Sequence, residues 1–175
     1  MFRKKMMLEK NVFIGRNVLI DPGYSSLISI GNNSVISYGT IILAHDGSLR
    51  KYTGYTKIGK VSIGSDTFIG AGSVIMPDVS IGNNVIIGSG SVVTKNIPDN
   101  SVAVGNPAVV VDSVSRLVNK HIVNMNNYPV YEKMTKQDAR IMEDEWKEGH
   151  AYIRTYFETP LSSVKEVNEI TNKMM

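Results

Sequence analysis

A six-residue period running from Ile63 to Pro98 limits what this chain can fold into. Cut every six residues, the stretch reads IGSDTF, IGAGSV, IMPDVS, IGNNVI, IGSGSV and VTKNIP. The first position is Ile63, Ile69, Ile75, Ile81, Ile87 and Val93. The second is Gly64, Gly70, Gly82 or Gly88 in four of the six blocks, and the fifth is always small or aliphatic. Ile, Val and Leu make up about a quarter of the chain, so an unbroken column of them in one frame is far from chance. Six residues is neither a helical period nor a two-residue alternation. It reads as a parallel β-solenoid, in which each block is a short strand plus a corner and three blocks close one coil. A single coil cannot bury its own apolar side, so stability comes from stacking. Glycine beside the corner relieves crowding by a Cβ, and Asn, Asp and Ser suit the exposed turn.

The frame extends backwards through Leu8 to Phe13 and Ile14 to Leu19. It is interrupted after Ile20-Asp21-Pro22-Gly23 by four extra residues, then resumes at Ile30 and runs to Gly47. Residues 48–57 (SLRKYTGYTK) have no register and are polar, charged and aromatic. A loop of this length in a compact domain is usually functional or disordered. Arg50, Lys51, Tyr52 and Tyr55 give it the character of a contact loop.

Beyond residue 111 the pattern changes. Val114, Leu117, Val118, Ile122 and Met125 have helical spacing, and Pro129 ends that helix. Met142, Trp146, Ile153 and Phe157 suggest a second helix, and Leu161, Val164, Val167 and Ile170 a third. The expected organisation is a solenoid domain over 1–111, with 48–57 inserted, and an α-helical extension over 112–175.

The repeat and the run Gly105-Asn106-Pro107-Ala108 together resemble the hexapeptide-repeat acyltransferases, and most closely their sugar and xenobiotic O-acetyltransferase branch. The resemblance implies a left-handed parallel β-helix, an exception to the usual right-handed crossover. It also implies a homotrimer with active sites between subunits and acetyl-CoA as acyl donor. His45, at the fourth position of its block and directly before the insertion, matches the catalytic histidine of that branch. Asp21 falls where those enzymes carry an acceptor-binding Asn; Asp keeps the acceptor oxygens and loses the N–H donors. Asp-Pro-Gly is equally good turn chemistry. Arg50 and Tyr52 are expected to touch the acceptor. Ala71 and Ser89 are the implied corners for the pantetheine arm, with Thr94, Lys95 and Asn106 toward the nucleotide. The basic residues common after the Gly-Asn-Pro-Ala run are absent; Val109 and Asp112 stand there, leaving Lys95 or Arg116 to meet phosphate.

Acyl transfer needs a base for the attacking hydroxyl or amine. An ordinary imidazole, with a pKa near 6.5, suits that task at neutral pH. The chain has no Cys, so no cysteinyl acyl-enzyme can form and direct transfer is expected. Asp46 either orients His45 or holds the turn; an inward carboxylate would be costly, which favours an opened coil with Asp46 structural.

Absence of Cys suits a cytoplasmic chain. No apolar run follows the charges of Met1 to Lys10, so no signal peptide is expected, and no stretch reaches membrane-spanning length. The net charge of +3 does not call for nucleic acid. No metal is expected: a zinc-dependent carbonic anhydrase on such a solenoid needs three His, and only His45 lies in the repeat. The remaining alternatives are a nucleotide-sugar N-acetyltransferase and an inert structural solenoid.

Overall fold

The computed structural model describes residues 6–125, 127, 130–131 and 152–153. The repeat folds as a three-faced left-handed parallel β-helix. The first face stacks Met7–Leu8, Ile28–Ile30, Val61–Ile63 and Ser80–Ile81. The second stacks Phe13–Ile14, Val35–Ile36, Phe68–Ile69, Ile86–Ile87 and Ser101–Gly105. The third stacks Leu19–Ile20, Ile41–Ile42, Val74–Ile75 and Val92–Val93. Strands pair in parallel, so like positions lie over like. Ile36, Ile69 and Ile87 form one interior column, and Ile42, Ile75 and Val93 another, each residue 0 % exposed. The fifth-position residues Thr67, Ser73, Val79, Val85, Ser91 and Ile97 are buried beside them. The buried hydroxyls are satisfied by backbone: Thr67 Oγ1 donates to the Gly82 carbonyl at 2.9 Å and Ser73 Oγ to the Gly88 carbonyl at 3.2 Å.

Two positions of the block carry distinct backbone demands. The fourth holds Asn11, Asn17, Asn33, Gly39, Asp66, Gly72, Asp78, Asn84 and Gly90, all with φ between 52° and 71°. Only Gly, Asn and Asp occupy this left-handed region at low cost. The second-position glycines serve a different need, since their φ is ordinary and they lie against the next coil. A Cβ on Gly64 would meet the Gly82 carbonyl and, at 2.7 Å, Asn83 N. Gly64→Ala is therefore expected to destabilise the protein by about 1–3 kcal/mol through overpacking. Gly72, with open space around its Cβ position, should accept Asn with little change. Denaturant midpoints of the two variants check this; equal midpoints would mean that coil stacking does not require Gly64.

The solenoid ends in a hairpin. Ser101–Gly105 continues the second face and turns through Asn106-Pro107, a cis peptide, into antiparallel Ala108–Ser113. A helix follows over Val114–Met125, where the apolar spacing places one. By its contacts the chain divides into Met1–Lys120 and His121–Met175. Within the second unit Val130–Tyr131 pairs with Tyr152–Ile153. Ile153, expected on a helix, thus lies in a strand, and Tyr152 and Ile153 are both residue types that favour one. The rest of the expected second helix and the whole third lie outside the described residues. Among the described residues no helix is long and apolar enough to cross a membrane.

Candidate active site

The site forms where the repeat fails twice on adjacent coils. After Asp21 the chain leaves its frame, makes a short 3-10 turn over Ser25–Leu27 and rejoins the first face at Ile28. On the next coil the third-face strand Ile41–Ile42 leads through Leu43 and Ala44 to His45. Nine blocks put a left-handed residue at the fourth position; His45 occupies that position in a strand instead. His45–Asp46 pairs antiparallel with Lys57–Ile58, so the coil opens into a hairpin rooted at the histidine.

Asp21 is 0 % exposed, and all its hydrogen-bonding capacity is committed. Oδ1 accepts the Gly23 and Tyr24 amides at 3.0 and 3.2 Å. Oδ2 accepts the Ala44 amide at 3.0 Å and His45 Nδ1. Burial pushes this carboxyl up, but the hydrogen bonds from His45, Ala44 and Gly23, with the nearby imidazole charge, hold it below the ordinary Asp value. An ionised Asp21 accepts only, so Nδ1 carries the proton and Nε2 is the free ring nitrogen. The His45 side chain is 40 % exposed. Asp21 was expected to contact the acceptor. Its carboxylate is fully buried, and four donors, His45 Nδ1 among them, surround it.

Asp46 takes the structural role of the two read from sequence. Its Oδ1 accepts the Ser48 amide at 2.8 Å, and hydrogen bonds from Ser48 hold its carboxyl below the ordinary value. Tyr24 escaped the sequence reading. Its ring stands 5.1 Å from the His45 ring, centroid to centroid, at 43°. Asp21 thus fixes the imidazole through Nδ1, and Tyr24 packs against it as a second support. The signal for Tyr24 was its place as the first residue of the four-residue interruption.

The other expected site residues separate into groups. Arg50 and Tyr52 lie on a short helix, Arg50–Thr53, within the hairpin loop, and both are exposed. Thr94 and Lys95 lie on the His45 corner, two rungs along, since Leu43 N bonds Ile75 O and Met76 N bonds Val93 O. Two rungs span roughly 10 Å. Ala71 and Ser89 stack on a different corner, between the second and third faces, with Gly90 N bonding Ala71 O. Asn106 is in the terminal turn. Arg116, considered as a phosphate contact, has its Nε 3.3 Å from Asp112 Oδ1, and Lys120 Nζ donates to Oδ2 of the same carboxylate at 2.7 Å.

Residues 60–95 match the family described as bacterial transferase hexapeptide (six repeats), and residues 7–44 match the hexapeptide repeat of succinyl-transferase. The putative acetyltransferase YvoF of Bacillus subtilis (strain 168) is 36 % identical over 107 residues, which cover 61 % of this chain and 60 % of that one. Among solved structures, the polySia specific acetyltransferase NeuO superposes with a TM-score of 0.54 at 26 % identity, over 62 % of this chain and 52 % of that one. The hexapeptide-repeat acetyltransferase VCA0836 of Vibrio cholerae O1 biovar eltor, complexed with acetyl coenzyme A, superposes with a TM-score of 0.50 at 27 % identity, over 59 % and 60 %. The chain therefore spans about three fifths of the curated relative's length and about half of NeuO.

Proposed function

This chain belongs to the hexapeptide-repeat acyltransferase family, and from that premise we propose that it transfers an acetyl group from acetyl-CoA to a hydroxyl or amine of a sugar or glycan precursor. The observation that carries the reading is the Asp21–His45 pair at the root of the inserted hairpin. His45 Nε2 takes the proton of the acceptor O–H or N–H as its oxygen or nitrogen attacks the thioester carbonyl. The tetrahedral intermediate collapses with cleavage of the C–S bond. The imidazolium returns its proton to the departing CoA thiolate, giving CoA and the acetylated acceptor. A positioned base contributes about 10²- to 10⁴-fold. Asp21 keeps Nδ1 protonated and stabilises the imidazolium, and Tyr24 limits the ring's rotation.

Acetyl-CoA as substrate is supported by the acetyl-CoA complex of VCA0836. The pantetheine arm lies along Ala71 and Ser89, where small side chains leave the corner open, while Thr94, Lys95 and Asn106 face the nucleotide. One protomer keeps these corners a face apart. A homotrimer with the donor groove between copies brings a corner of one copy against that of the next.

Release of free CoA thiol in the presence of sugars and amino sugars tests the reading. Turnover with at least one acceptor is expected, and no release with any acceptor would favour an inert solenoid. Ser89→Trp fills the corner and should raise the KM for acetyl-CoA about tenfold or more, a loss of roughly 1.4 kcal/mol. An unchanged KM would remove Ser89 from the donor groove.

A further inference from the structure

The hairpin that rises from His45 carries a charge pattern that acetyl transfer alone does not need. Residues 47–60 contain Arg50, Lys51, Lys57 and Lys60 and no acidic residue. All four cations are exposed. Arg50 and Lys51 have no ion-pair partner among the described residues, and Lys57 comes only within 4.0 Å of Asp78. Tyr52 and Tyr55 on the same loop are 80 % and 81 % exposed.

The loop is held in shape by its own bonds. Arg50 N bonds Gly47 O at 3.0 Å, Thr53 Oγ1 donates to Leu49 O at 3.0 Å, and Tyr55 N donates to Thr53 Oγ1 at 3.1 Å. Gly54, with φ of 79°, closes the short helix. Its cations and aromatic rings are therefore presented to solvent from an ordered frame, while none of them joins the core.

Lys57 has Asp46 and Asp78 nearby, but Arg50 and Lys51 are adjacent like charges with no ion-pair partner among the described residues, which gains nothing for the fold. It matches a ligand that brings the opposite sign. A guanidinium forms two parallel bonds to a carboxylate or phosphate. A tyrosine ring offers an apolar face and a polar tip, which suits the C–H face and hydroxyls of a pyranose. The arm starts at His45, so a ligand held on it is bound to the same hairpin that carries the imidazole. Resting on the acetyl-transfer reading, we infer that the acceptor is an anionic saccharide whose carboxylate or phosphate is bound by Arg50 and Lys51, with Tyr52 or Tyr55 stacked on a sugar ring.

Calorimetric binding to the intact chain tests this without requiring turnover. The ligands are a hexuronate oligosaccharide, its neutral methyl ester and a hexose phosphate. The hexuronate, the hexose phosphate or both should bind about tenfold or more tighter than the neutral ester, as charge-assisted bonds provide. Which of them does so identifies the anionic group. The preference should weaken with rising salt and collapse in R50E/K51E; R50Q/K51Q, which removes charge without reversing it, should reduce it as well. Equal binding of charged and neutral saccharides overturns the inference. So does a loss in these variants that falls on acetyl-CoA affinity, which would turn the arm toward the nucleotide phosphates. Loss of binding to phosphatidylglycerol vesicles with saccharide binding unchanged would make it a membrane contact instead. If no acceptor is ever acetylated while charge-dependent saccharide binding persists, the transfer reading falls and the saccharide preference stands.

Discussion

Asp21→Asn is expected to lower kcat by about 10²- to 10⁴-fold, with the KM for acetyl-CoA little changed. The reason is the hydrogen-bond inventory around a fully buried side chain. Four donors converge on the carboxylate: the Gly23, Tyr24 and Ala44 amides and His45 Nδ1–H. An amide has one oxygen and one NH₂. If the oxygen keeps Gly23 and Tyr24, the NH₂ faces Ala44 N–H and His45 Nδ1. The imidazole must then accept at Nδ1 and carry its proton on Nε2, the tautomer that cannot act as a base. If the amide turns over, the histidine is correctly held but the Gly23 and Tyr24 amides lose their acceptor. Each buried donor left unpaired costs about 1–3 kcal/mol, so the variant should also lose stability. Single-turnover kinetics together with the denaturant midpoint check both halves, and a kcat within a few-fold of wild type would remove Asp21 from the mechanism.

The same residue sets an acid limb. Its folded value lies below the ordinary 3.8 of an unfolded Asp. A depressed carboxylate contributes stability that is fully present above the unfolded value and is lost as pH falls through the folded one. The stability gap between wild type and the Asn variant should therefore narrow as pH drops below 3.8.

These contacts show what a period can and cannot reveal. The columns of Ile and Val follow from the frame, because stacking like on like buries one position in every six. The left-handed fourth position is equally legible, since only Asn, Asp or Gly stands there in regular blocks. His45 breaks that rule in plain sight and so marks the opening of the coil. The helix over Val114–Met125 follows from its apolar spacing. The Asp21–His45 pair is not legible in the same way. A regular coil advances eighteen residues, but Leu19 pairs with Ile41 because of the interruption after Gly23. Stacking then sets Asp21 beside Leu43, and the side chain must still reach on to Ala44 and His45. Asp-Pro-Gly offered turn formation as a sufficient explanation, and nothing local signalled a partner twenty-four residues away. Tyr24 lies off the period altogether, so its approach to the imidazole comes from the interrupting turn. Ala71 and Ser89 differ by one full coil and share a corner, whereas Thr94 belongs to the next corner; counting gives that much, but not what fills the space between them.

His45→Ala should reduce turnover by at least about 10²- to 10⁴-fold, the contribution of a positioned base. The fold should survive, because the imidazole is 40 % exposed and none of the core columns depends on it. Its removal does alter Asp21. The carboxylate keeps the Gly23, Tyr24 and Ala44 amides but loses the hydrogen bond and charge that help hold its pKa down, so that value should rise. Stability lost to acid should then appear at higher pH than in wild type, a shift a merely bulky residue would not produce. Asp46→Asn provides the contrast. Its carboxylate engages Ser48 rather than the imidazole, and Asn can accept the same amide, so turnover should stay within a few-fold. Free imidazole added to the Ala variant should restore part of the rate, since the vacated place opens to solvent and Asp21 Oδ2 remains to orient a ring. Turnover by His45→Ala within a few-fold of wild type would mean that the acceptor loses its proton elsewhere, and the pair at the root of the hairpin would be architecture alone.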